Sequence, residues 1–254
     1  MRRHPSSLVL YFALRSSVVC AALLCASQAL AAQGDWGASV GVTSDYISYG
    51  LSQTRGRTAL QADGHYRKTL QDGSVALFGG AWISTLNSDQ WDDSELELDG
   101  YLGTSWRVSP RSVATFTFTH YAYAGESSWG HYDYDEVSAT LGFANRLFGT
   151  IVWTPDSVEY TGFATQRCCR RMAYEVEVHQ PLPRHFTFAL GAGYADLIGT
   201  AGYAFWNAGL SRMFGGLELN VSYIGTQSRA ESLFTEAVAG SRFAGSALWR
   251  FGGR

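Results

Sequence analysis

The sequence predicts an all-β chain: a single transmembrane, antiparallel, up-and-down barrel of about twelve strands. Three observations carry that expectation. Segments of strict apolar–polar alternation recur from Trp36 to Phe251. Their polar parities collect carboxylates, which would be costly in hydrocarbon. The breaks between segments alternate between long and short. Composition agrees: the chain holds 28 Gly, 14 Tyr, 14 Phe and 8 Trp, but Lys68 is its one lysine. Glycine and aromatics suit barrel strands and interfacial girdles, whereas a water-facing surface would carry more lysine. The near-neutral mean hydropathy speaks against helical spans, which need about 20 apolar residues each.

The N-terminus reads as a secretory signal peptide over residues 1–31, leaving residues 32–254 as the barrel. Arg2, Arg3 and Arg15 form the basic region, Val18 to Ala26 the apolar core, and Ala29-Leu30-Ala31 the small-x-small cleavage site. The apolar run is too short to span a membrane. Cleavage would leave a net charge of about −6, which argues against nucleic acid as a partner. Cys20 and Cys25 would leave with the leader. Cys168 and Cys169 remain; one adjacent pair makes neither a disulfide framework nor a zinc site, and two thiols in a loop are a plainer reading than a vicinal disulfide.

Taken in order, Ala38, Val40, Val42 and Tyr46 oppose Ser39, Gly41, Thr43 and Asp45. The break SYGLSQTRGR follows. Leu60, Ala62, Gly64 and Tyr66 then oppose Gln61, Asp63, His65 and Arg67, up to a tight turn at Gln71-Asp72-Gly73. Val75 to Ser84 is a third strand, apolar on both faces. The acidic loop NSDQWDD leads to Ser94–Trp106, where Leu96, Leu98, Leu102 and Trp106 oppose Glu95, Glu97, Asp99 and Tyr101. A turn at Val108–Arg111 precedes Val113 to Ala124. After a loop, Val137, Ala139, Leu141 and Phe143 oppose Glu136, Ser138 and Thr140. A short link near Asn145 leads to Gly149–Thr154, and Pro155 to about Arg170 reads as a long loop. Tyr174, Val176 and Val178 oppose Glu175, Glu177 and His179; Pro181-Leu182-Pro183 turns the chain. Phe186 to Tyr194, Ala204 to Leu210, Leu217 to Tyr223 and Phe243 to Phe251 complete the series, with a turn at Phe214-Gly215-Gly216 and a loop near Gln227–Gly240. Long breaks follow odd-numbered strands and short ones follow even-numbered strands, as in outer-membrane barrels.

The stretch SDYISYGLSQTRGRTALQADGHY resembles the TorF-type porins, catalogued as a Gcw family of conserved bacterial proteins. The residues that carry the resemblance are Ser44-Asp45-Tyr46, Gly50-Leu51-Ser52-Gln53-Thr54, Ala59-Leu60-Gln61 and Tyr66, followed by Gly79–Thr85 and Leu96–Gly103. Tyr49 departs from the pattern, which usually has Arg before the Gly. The resemblance covers about Trp36 to Gly103 and implies an outer-membrane barrel, with no substrate or catalytic residue attached. A last strand ending in Phe251 resembles the signal by which the barrel-assembly machinery recognises such chains.

Thirteen residues on the polar parities are candidates to line a pore: Gln61, Asp63, His65, Arg67, Glu95, Glu97, Asp99, Glu136, Glu175, Glu177, His179, Glu218 and Arg250. Facing the hydrocarbon midplane, each Arg would cost about 2–4 kcal/mol and each acid somewhat less, so they must face water or one another. Two readings weigh about evenly: a charged lumen that passes small solutes, with acids in excess favouring cations, or an Arg–carboxylate network that plugs the lumen and stabilises the barrel. Twelve tilted strands enclose a backbone tube roughly 25 Å across, enough for a small-solute path. Catalysis is the weaker expectation. Strand periodicity alone produces the carboxylate pairs, no nucleophile or phosphate-loop motif occurs, and His120 is the nearest approach to a lipid-hydrolase histidine. Asp89, Asp92 and Asp93 lack regular calcium-loop spacing. Trp36, Tyr46, Trp82, Trp106, Trp153, Trp206, Tyr223 and Trp249 read as girdle or wall residues. The sequence therefore points to a non-enzymatic channel without cofactor in the bacterial outer membrane, with lipid and small solutes as partners.

Overall fold

The structure is a computed structural model, which describes residues 35–70, 73–86, 94–125, 133–160, 165–197, 201–234 and 236–252. The expected leader and Asp89, Asp92 and Asp93 lie outside the described residues. Twelve strands close a barrel: β1 (Asp35–Thr43), β4 (Ala59–Thr69), β5 (Val75–Thr85), β6 (Ser94–Ser109), β7 (Ser112–Gly125), β8 (Tyr134–Phe143), β9 (Leu147–Tyr160), β10 (Thr165–Leu182), β11 (Phe186–Leu197), β12 (Gly202–Phe214), β13 (Leu217–Thr226) and β14 (Arg242–Gly252). Each barrel strand pairs antiparallel with its neighbours in the chain. The seam closes where β1 meets β14, with Val40 opposite Trp249 and Ala38 opposite Phe251. Closure leaves no unpaired edge. Two further short strands, β2 (Ile47–Ser48) and β3 (Leu51–Ser52), form a separate hairpin.

Alternation in the sequence becomes inside and outside in the barrel. On β6, Glu97, Asp99, Tyr101 and Ser105 are buried, while Leu96, Leu98, Leu102 and Trp106 are exposed. The same split runs round the wall. The outward parity carries Trp36, Leu60, Phe116, Ile151, Val176, Leu190, Val221, Phe243 and Trp249, all exposed. Exposed apolar surface that encircles a protein is far beyond the patch a water-soluble monomer carries.

Short turns join the strands at one end. Ala144 (φ 52°) and Asn145 (φ 57°) take the paired left-handed conformation that matches hairpin twist. Gly215 supplies the left-handed position of the β12–β13 turn.

Three segments differ from the sequence-based expectation. The loop expected over Pro155–Arg170 is largely strand, because β9 runs to Tyr160 and β10 begins at Thr165. Register shifts around Cys169, which pairs with Ser157, interrupt the alternation there and hide the strand in the sequence. The turn expected at Pro181–Pro183 lies later, at Pro183–His185, where Arg184 and His185 take positive φ. The β13–β14 connection contains an unforeseen helix, α1 (Ser228–Phe234).

Candidate functional site: the lumen and the hairpin inside it

The break between β1 and β4 is not a surface loop. It folds into the barrel, and Asp45, Tyr46, Ile47, Ser48 and Tyr49 are all buried. Asp45 organises it. Its carboxylate accepts hydrogen bonds from Ser52 Oγ (2.5 Å) and Thr54 Oγ1 (2.9 Å), and Arg242 Nη1 of β14 reaches it at 3.2 Å. The Tyr46 amide donates to Thr54 Oγ1 at 3.0 Å, and the Gln53 amide donates to the Tyr46 carbonyl at 2.7 Å. At the tip, Tyr49 (φ 49°) and Gly50 (φ 78°) make the paired left-handed turn. A Cβ on Gly50 would lie 2.6 Å from Phe205 Cβ and 2.7 Å from Thr226 Cγ2, so only glycine lets the tip sit so close to the wall.

Two tyrosines dock the hairpin across the lumen. Tyr46 OH donates to Glu97 Oε1 at 2.9 Å, and its ring lies 5.3 Å from that of Trp82. Tyr49 OH donates to the Glu136 carboxylate, 3.2 Å from Oε2, and its ring meets Phe205 edge-on at 6.1 Å. Burial, and next the Glu97 charge for Tyr46 and the Glu136 charge for Tyr49, pushes both phenols well above the ordinary tyrosine range. They therefore remain donors.

Glu136 is the centre of a larger cluster. It also accepts from Tyr121 OH (2.9 Å) and Thr154 Oγ1 (3.1 Å), and it pairs with Arg171 of β10. The Arg171 guanidinium lies 4.6 Å from the Tyr49 ring centroid and 5.6 Å from that of Tyr134. A buried carboxylate, a guanidinium and a set of phenols thus satisfy one another.

Twelve of the thirteen candidate residues occupy inward positions, in separate groups, and Glu95 does not. Asp63 accepts from Tyr101 OH at 2.7 Å and lies 2.6 Å from His65 Nδ1. Arg67 Nη2 donates to Ser105 Oγ at 3.3 Å, and Gln61 Nε2 lies 3.4 Å from Ser84 Oγ. Glu97 and Asp99 sit side by side on β6; Glu95 is exposed at the strand's end. Glu177 and His179 approach to 2.8 Å on β10, below buried Glu175. Arg250 Nη2 meets Glu218 Oε2 at 2.6 Å.

Asp45, Tyr49, Tyr121, Tyr134, Arg171 and Arg242 are absent from the thirteen sequence candidates. Asp45 stands on the polar parity of the first strand, but its role as the anchor of an inserted hairpin has no local signal. Tyr49 and Arg242 fall in or beside breaks, where alternation gives no direction. Tyr46 and Trp82, read there as girdle or wall residues, instead pack together inside the barrel. His120 faces outward, 2.8 Å from Asp135 of β8. Its register partners are Gly100 and Asp135, so neither supplies the serine a lipid hydrolase would need. Among the described residues no set of three His, Cys, Asp or Glu could hold a metal ion.

The barrel is shared with known structures at low identity. A membrane-protein structure from work on in-meso crystallization superposes with a TM-score of 0.58 at 8% identity, covering 86% of this chain and 83% of that one. The COG4313 outer membrane channel from Pseudomonas putida F1 superposes with a TM-score of 0.51 at 13% identity, covering 90% of this chain and 98% of that one. No curated protein matches in sequence. Residues 29–251 match the family described as a bacterial protein of unknown function, Gcw_chp.

Proposed function

We propose that this chain, which belongs to the Gcw_chp family, is an outer-membrane channel for small solutes whose lumen is narrowed by its own β2–β3 hairpin. The observation that carries the proposal is the hairpin's position inside a closed barrel that is apolar outside and polar inside. A closed barrel with an apolar belt suits a bilayer, because every backbone hydrogen bond is made within the wall. The shared architecture with a bacterial outer membrane channel supports the same placement. On this reading residues 1–31 are the export signal, and the strand ending at Phe251 is offered to the assembly machinery. Nothing in the outward His120–Asp135 pair supports hydrolysis.

The candidate residues other than Glu95 then border the path, with Glu97, Asp99, Glu136, Glu175 and Glu177 outweighing the basic side chains. The acid excess favours cations. The mature chain in a planar bilayer tests this. Small cation-selective conductance steps are expected, larger when residues 46–52 are replaced by a Gly-Ser linker. Anion-selective steps would refute the lining. A second reading, a closed barrel that acts through its surface, draws on the burial of nearly every lumen carboxylate. It requires no steps from the native chain.

A further inference from the structure

We propose that the Glu97–Asp99 face of β6 binds an organic cation that carries N–H donors, an alkylammonium or guanidinium group. Glu97 is 2% exposed and Asp99 3%, and both point inward from alternate positions of one strand. The Glu97 carboxylate accepts from Tyr46, at Oε1, and from Tyr123, but Glu97 Oε2 and Asp99 Oδ1 have no close hydrogen-bond partner among the described residues. No Arg, Lys or His among the described residues pairs with either carboxylate. Two buried acceptors left open beside each other are costly unless a donor from solution fills them.

The molecule contains a filled version of the same construction. Around Glu136, the phenols of Tyr49 and Tyr121 donate to the carboxylate while the Arg171 guanidinium lies against Tyr49 and Tyr134. Around Glu97 and Asp99 the walls repeat. Tyr46 donates to Glu97 and packs on Trp82, Trp82 stands opposite Asp99 on β5, and Tyr121 stands opposite it on β7. The difference is that the described residues supply a cation to the first group and none to the second. Carboxylate oxygens select for N–H donors, and aromatic faces select for a poorly hydrated cation. A bare calcium ion would call for six or more oxygen ligands. The assignment of this cation as cargo rests on the channel reading; the binding itself does not.

The test is calorimetric titration of the detergent-solubilised mature chain with methylguanidinium chloride. Potassium chloride and tetramethylammonium chloride, which lacks N–H donors, serve as controls. Saturable binding is expected for methylguanidinium alone, weakened about tenfold or more by Asp99→Asn and by Glu97→Gln. Glu231→Gln, exposed on α1, leaves it unchanged. Heat-modifiable electrophoretic mobility verifies that each variant still forms a barrel. Absence of saturable binding, equal binding of tetramethylammonium or potassium, or indifference to Asp99→Asn each overturns the site. Binding without bilayer conductance overturns the channel and keeps the site; conductance without binding does the reverse.

Discussion

Single side chains decide whether the lumen is filled. Arg171 compensates a buried Glu136 that also carries Tyr49, so removing the guanidinium leaves a carboxylate with neutral hydroxyl partners alone. Arg171→Met should destabilise the barrel by about 3–5 kcal/mol, whereas the pair replacement Glu136→Gln with Arg171→Met should recover much of that. Urea midpoints of the two variants in detergent check the ordering. Gly50 acts sterically. With φ 78° and two wall atoms within 2.7 Å of a would-be Cβ, Gly50→Ala should expel the hairpin tip without breaking a wall hydrogen bond. Arg55 and Arg57, exposed beside it, should then be cut by trypsin faster than in the parent.

The hairpin behaves as one element because its contacts converge on a few acids. Its tyrosines bind through protonated phenols, whose ionisation the surroundings oppose. The sign follows: docking is fully present below about pH 10, where a free tyrosine ionises, and is lost as pH rises through the higher folded value. Absorbance titration should therefore find Tyr46 and Tyr49 un-ionised at a pH where the exposed tyrosines have ionised. Substitution by Tyr46→Phe with Tyr49→Phe should diminish that late component without abolishing it, because the barrel buries other tyrosines too. The sequence disclosed the walls far better than this insert. On β6, Leu96 to Trp106 declared both strand and orientation, because one wrong register would bury every carboxylate in the wrong phase. The stretch SYGLSQTRGR declared only a break. Nothing local separates a turn that stays outside from one that re-enters, since the partners Glu97, Glu136 and Arg242 lie 51, 87 and 197 positions away. Trp82 was misjudged for the same reason: on a strand apolar on both faces, parity carries no direction.

At the scale of the molecule, the barrel sorts polarity radially, inverted relative to a water-soluble protein. Phe118 sits on the outward parity of β7, flanked by Leu102 and Val137 across the neighbouring strands. Phe118→Arg should cost about 2–4 kcal/mol in a bilayer and lower the yield of assembled barrel. The same substitution at Thr117, its inward neighbour, should fail by overpacking instead, with assembly in detergent impaired as well. Folding yields in vesicles and in detergent separate the two. Closure itself was legible from the even strand count and loop rhythm; the added length of β9 and β10 was not, because irregular pairing near Cys169 breaks the period on which the reading depends.

The Asp45–Arg242 contact also sets an order of events. Asp45 leaves the first strand and Arg242 opens the last, so the clasp on the hairpin can form only once the chain's two ends have met. Until then the stopper hangs on its two phenols at Glu97 and Glu136 alone. Sealing the seam and fastening the cork are thus one late step, and a chain stalled before its final strand joins would be left loosely corked.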